Sequence, residues 1–111
     1  MLTLEVQKHP HVTVLRCACR IVHGDGADDL LRVVKAQDQR DLQIDLSKVA
    51  TIDAGGLGVL VELERWARDT NRTLQLINPT KRVLEALETT GLSSVLQVCT
   101  GTTQPSRDDA A

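Results

Sequence analysis

The stretch from Asp41 to Ala67 constrains the fold more than any other part of the chain. Leu42, Ile44 and Leu46 alternate with Asp41, Gln43 and Asp45, the period-two pattern of a strand with one face buried. After a short apolar link, Asp53 stands directly before Ala54-Gly55-Gly56, and Leu57, Leu60, Val61, Leu63 and Ala67 then recur at three- and four-residue intervals. That spacing predicts a helix from about Gly55 with one apolar face, since Glu62, Glu64, Arg65, Arg68 and Asp69 fall mostly on the other side. The order is strand, tight glycine-rich turn, helix. Asp53 is placed to accept hydrogen bonds from the first backbone N–H groups of that helix, and its charge suits the positive end of the helix dipole. Two adjacent glycines let the backbone take conformations closed to other residues and let another surface approach it closely. This bare junction, Asp53 to Gly58, is the expected working surface.

The rest of the chain supplies a frame for it. Leu2, Leu4 and Val6 alternate with Thr3, Glu5 and Gln7, and Lys8-His9-Pro10-His11 turns the chain into a second strand from Val12 to Cys19, an opening hairpin. His23-Gly24-Asp25-Gly26 breaks the pattern, and Asp25 is expected to cap a helix running to about Gln37, with Leu30, Leu31, Val33 and Val34 on its apolar face. Asp69-Thr70-Asn71-Arg72 closes the helix after the junction, and Thr73 to Ile77 reads as the next strand. Asn78-Pro79 leads into a helix from about Thr80 that carries Val83, Leu84 and Leu87 and ends at Gly91 as a left-handed cap. Val95, Leu96 and Val98 suit a short last strand or a helical turn. The expected fold class is α/β: a single domain, residues 1–99, whose mixed sheet opens with a β-hairpin and continues in βα units with helices packed on the sheet. Residues 100–111 have the composition of a disordered polar tail.

Charge and composition exclude several functions. With 13 Lys and Arg against 15 Asp and Glu and no Phe or Tyr, the chain has neither the basic stripe nor the stacking platforms of a nucleic-acid binder. No run approaches the ~20 apolar residues of a membrane span, so direct membrane insertion is not expected. Three cysteines, an odd number, with no signal-peptide pattern fit a reduced cytoplasm. Cys17 and Cys19, two apart on a strand, should face the same way; they read as buried thiols, because no second ligand pair stands near them for a metal. His9 and His11 read as solvated turn residues. The run Gly24 to Asp29 looks like a calcium loop but lacks the alternating ligands and distal glutamate, so a helix start is the better reading. No G-x-S-x-G, P-loop or H-E-x-x-H motif is present. A glycine-rich turn before a helix could cradle a phosphate, but Asp53 would set a negative charge against it. Neither catalysis nor a cofactor is expected. Trp66, the single aromatic residue, suits a partly buried boundary position or, if exposed, a partner anchor.

Taken together, Asp45-Leu46-Ser47, the apolar link and Asp53-x-x-Gly56-Leu57-Gly58-Val59-Leu60 resemble the signature of STAS domains, the anti-sigma-factor antagonist family. Leu74-Gln75-Leu76-Ile77-Asn78-Pro79, then Val83-Leu84 and Thr90-Gly91-Leu92, fall where that family has its fourth strand, last main helix and closing turn, and the similarity runs from about residue 2 to 98. The resemblance implies a protein-binding regulator that docks on an anti-sigma factor, often a serine-kinase-like ATPase, and so controls sigma-factor-dependent transcription. Asp53, Ala54, Gly55, Gly56, Leu57 and Gly58 would form the contact. Regulated family members carry a phosphoacceptor serine directly after the aspartate; that position here is Ala54, which cannot take a phosphate. Thr51 and Ser47 are the nearest hydroxyls and the alternative acceptors, though turn hydrogen bonding is the commoner use of such residues. The competing expectation is a structural STAS subunit of an ABC-type transporter or a larger signalling assembly. Nothing in the sequence points to a homo-oligomer.

Overall fold

A strand of 12 residues, β3 (Asp41–Ile52), forms the spine of a five-stranded sheet in the order β1-β2-β3-β4-β5. The computed structural model describes residues 2–22, 24 and 26–99, without the side chain of Cys19. β1 (Leu2–Lys8) pairs antiparallel with β2 (Thr13–Ile21), and β2 lies parallel to β3. β4 (Thr73–Ile77) and the two-residue β5 (Val98–Cys99) extend the parallel side. Three helices connect these strands: α1 (Ala27–Lys35), α2 (Ala54–Asp69) and α3 (Lys81–Thr89). The mixed α/β sheet with its opening hairpin is the one the alternation of apolar residues predicts.

Aliphatic side chains make most of the core, with Cys17 among them and Trp66 packed against its edge. Leu15, Leu30, Leu42, Ile44, Leu46, Leu60, Leu63, Leu76 and Leu87 are all buried to the last few per cent, and each contributes roughly 1.5–3 kcal/mol by leaving water. The helix after β4 is fastened at its start: Thr80 accepts from the Val83 N–H at 3.3 Å, and its hydroxyl donates to the Val49 carbonyl at 2.9 Å. Gly91, at φ 77°, ends α3 in the left-handed region, as its sequence position predicts.

Four details differ from the sequence reading. The glycine run after Asp53 is not a turn, because α2 begins at Ala54 and the glycines form its first helical turns. Asp45 does not lie on a solvated face; it is 8% exposed beside a register shift between β2 and β3, where its carboxylate accepts the Ser47 N–H at 2.9 Å. α1 stops at Lys35, short of Gln37, and its N-cap is Gly26 with no side-chain hydrogen bond; Asp25 lies outside the described residues. The chain after α3 makes a 3-10 turn, Leu92–Ser94, before β5, and Val95 is exposed. The tail expected over residues 100–111 also lies outside the described residues. Among the described residues no helix is long and apolar enough to cross a membrane.

Cys17 sits in the core and Cys99 on the surface. Burial, helped by the nearby Asp45 charge, pushes the Cys17 thiol up to about 12 from its ordinary 9. A thiol reagent added to native protein should therefore modify Cys99 and leave Cys17 untouched until unfolding, read by peptide mass spectrometry. The folded state holds this proton more tightly than the unfolded chain does. The stability it contributes is thus complete below pH 9 and is lost between pH 9 and about 12. Urea midpoints should fall across that window, and fall less in Cys17→Ala.

Candidate functional site

Asp53 turns the end of β3 into the start of α2 with a single extended residue at φ −108° and ψ −175°. Its Oδ1 accepts the Gly56 N–H at 2.8 Å, and its carbonyl accepts the Leu57 N–H at 2.9 Å. A carboxylate bonded in this way stabilises a helix start by about 1 kcal/mol and lies at the positive end of the dipole. The Asp53 N–H in turn donates to the Ile21 carbonyl at 3.4 Å, which ties the junction to the end of β2.

Gly56 explains how closely α2 lies on the sheet. A Cβ at this position would overlap the Ile21 carbonyl oxygen and stand 2.7 Å from Ile52 Cγ1. Gly56 and Leu57 are buried, whereas Asp53, Ala54 and Gly58 are exposed and Gly55 is half-exposed. The six expected contact residues therefore divide: four present an outward surface, and two hold that surface on the domain. Thr51 is half-buried on β3, two residues before the junction and paired in register with Arg20. Ser47 is exposed beside the Asp45 bulge, and five residues of strand separate it from Asp53, a span of at most about 20 Å.

A groove that sequence patterning did not reveal continues from Gly58 along α2. Its volume is about 570 Å³, and it is lined by Val61, Glu62, Arg65, Trp66 and Asp69 of α2 and by Lys35 of α1. Lys35 Nζ lies 3.2 Å from Glu62 Oε2 and joins the two helices across it. Trp66 is half-buried, and the Arg72 guanidinium stands 4.8 Å from its ring centroid. Only tertiary structure brings Lys35 and Glu62 together, because 27 residues separate them.

A family model described as "Mlab, STAS domain" matches residues 5–97. The chain belongs to the STAS domain family. An anti-sigma-B factor antagonist of Listeria monocytogenes is 31% identical over 70 residues, which covers 63% of this chain and 61% of that protein. The chain thus aligns with about three-fifths of the length of that relative. In fold, this STAS domain is similar to an anti-sigma factor antagonist from Mycobacterium paratuberculosis, with a TM-score of 0.73 at 20% identity, covering 89% of this chain and 86% of the other. It is also similar to a sulfate transporter family protein from Wolinella succinogenes, with a TM-score of 0.73 at 22% identity and 82% and 78% coverage.

Two glycines of one helix should respond oppositely to the same substitution. Gly56→Ala forces a methyl into a backbone carbonyl and should destabilise the STAS domain by about 1–3 kcal/mol. Gly58→Ala meets no described residue beyond its own helix within 4 Å and should stabilise it by up to ~1 kcal/mol through helix propensity. Urea midpoints of the two variants, against wild type, measure both.

Proposed function

We propose that this STAS domain is a protein-binding regulatory module of the anti-sigma factor antagonist type. Its outward first turn of α2, Asp53 to Gly55 with Gly58, docks on an anti-sigma factor of the serine-kinase-like ATPase class. The observation that supports this reading is the form of that turn: exposed, small-sided, and held rigid by the Asp53 cap and by Gly56 against β2. A surface fixed before binding loses little entropy when a partner covers it. Docking needs no bond made or broken by this chain, and binding releases the sigma factor by competition for the anti-sigma factor.

Ala54 occupies the exposed first position of α2, where a phosphate would add nearly two negative charges. Its methyl group cannot be modified, so binding is constitutive on this reading. The same fact favours a second reading, in which the domain is a permanent subunit against the ATPase of a transporter: an unswitchable surface suits a lasting contact as well as an exchanging one.

Titration of the chain with the purified kinase-type anti-sigma factor encoded in the same genome should give a complex, and Ala54→Arg should weaken it at least tenfold while leaving the urea midpoint within about 0.5 kcal/mol of wild type. Incubation with that protein and ATP should leave residues 47–58 free of phosphate by mass spectrometry. High phosphate occupancy at Thr51 or Ser47 would contradict constitutive binding. Stoichiometric recovery with a transporter ATPase from the native cell would select the second reading.

A further inference from the structure

β1 ends the sheet on one side, and among the described residues no strand pairs with its outer edge. It runs from Leu2 to Lys8 without proline and without a register shift against β2, so it lacks the usual devices that keep strand edges apart. The opposite edge, β5, is only two residues long. Hydrogen bonding sorts β1 into alternate residues. The His9 N–H donates to the Val12 carbonyl at 2.8 Å, and bonded pairs alternate along an antiparallel ladder, so Gln7–Val14, Glu5–Arg16 and Thr3–Ala18 exchange the bonds with β2. The backbone N–H and C=O groups of Leu2, Leu4 and Val6 therefore point away from β2. These three residues also share the face of the sheet that carries the core, with Leu4 opposite Cys17 and Val6 opposite Leu15. Leu2 and Leu4 are half-buried, and Val6, 38% exposed, is one of two large apolar residues exposed among those described. Outward backbone groups and a half-covered apolar row coincide on one edge.

We propose that β1 pairs with β1 of a second copy of this chain, antiparallel about a two-fold axis perpendicular to the sheet, joining the two five-stranded sheets into one. A two-fold contact sets a patch against itself, so the sequence of β1 decides whether a second copy fits. Such an axis keeps each face of the sheet on its own side, and even-numbered residues can then meet only even-numbered ones. Centred on Glu5, the pairing would oppose two carboxylates; centred on Val6, it would set Lys8 against Leu4. Centred on Leu4, it sets Leu4 against Leu4 and Leu2 against Val6, with Glu5 opposite Thr3. Each of these apolar pairs is one whose backbone groups point outward, so each exchanges two N–H···O bonds across the axis. One register thus satisfies the backbone, the apolar row and the single carboxylate of the strand together, which is what selects a second copy as the occupant. None of the paired residues belongs to α2, so the dimer carries its exposed α2 turn in duplicate.

Sedimentation velocity of the full chain over a micromolar concentration series should show a reversible shift from 12.1 kDa toward twice that mass. Val6→Lys places a charge on the pairing edge and should weaken the dimer at least about tenfold, with the urea midpoint of the monomer unchanged. Position 3 reads the register, because it is exposed in the monomer and faces Glu5 of the second copy in the dimer. Thr3→Lys should tighten association severalfold and Thr3→Glu weaken it by a similar factor, with both differences shrinking as salt rises. A mass of 12.1 kDa at every concentration would overturn the proposal. A dimer indifferent to Val6→Lys would also overturn it, by placing the interface elsewhere, and one blind to the charge at position 3 would overturn the Leu4-centred register.

Discussion

The approach of Gly56 to the Ile21 carbonyl is the contact on which the rest of the site depends. Ile21 ends β2, and its carbonyl also accepts the Asp53 N–H, so one backbone oxygen fixes both the last residue before α2 and the first turn of α2 itself. With the helix axis that close to the sheet, Leu57, Leu60 and Leu63 reach the core, and Leu60 and Leu63 are fully buried. The opposite side of the same turn must then face outward. Exposure of Ala54 and half-exposure of Gly55 follow from burial of Gly56, because residues on one helical turn divide between the two faces.

The glycines of α2 therefore do different work although they look alike in sequence. Glycine in a helix interior costs about 1 kcal/mol relative to alanine, and α2 carries three in its first five residues. Packing returns that cost at Gly56, since any side chain would separate the helix from β2. The Asp53 cap offsets part of the rest by satisfying the Gly56 N–H. Among the described residues nothing packed against Gly58 offers such compensation.

Much of this was legible in the sequence, and the misses share physical causes. Period-two alternation located the first half of β3, and the Asp53 cap was readable because a hydrogen-bonding side chain stands directly before apolar periodicity, whereas the Thr80 cap came only with the structure. The glycine run read as a turn because local propensity disfavours helix there, and packing on β2 and β3 overrode it. Burial of Asp45 was hidden because a register shift changes what a strand residue faces, and no periodicity announces a shift. The α1 boundary was misplaced for a related reason: a glycine N-cap with φ 102° offers no side-chain signal. The groove could not be read at all, since Lys35 and Glu62 meet only when α1 and α2 pack together.

The side chain at position 54 decides how such a surface can be controlled. A phosphate on an exposed residue at a helix start changes local charge by nearly two units, enough to reverse the sign of an interaction with an acidic or basic partner surface. An alanine methyl offers no such change at any pH. On the docking reading, occupancy is then set by mass action alone: the bound fraction follows the concentrations of this domain, the anti-sigma factor and the competing sigma factor, and each tenfold change in concentration shifts the balance by about 1.4 kcal/mol. Regulation of that kind must act on how much of each protein the cell makes or on the state of the partner. The rigid, capped turn at Asp53 is consistent with this, because a surface that never changes state gains nothing from flexibility and is weakened by it.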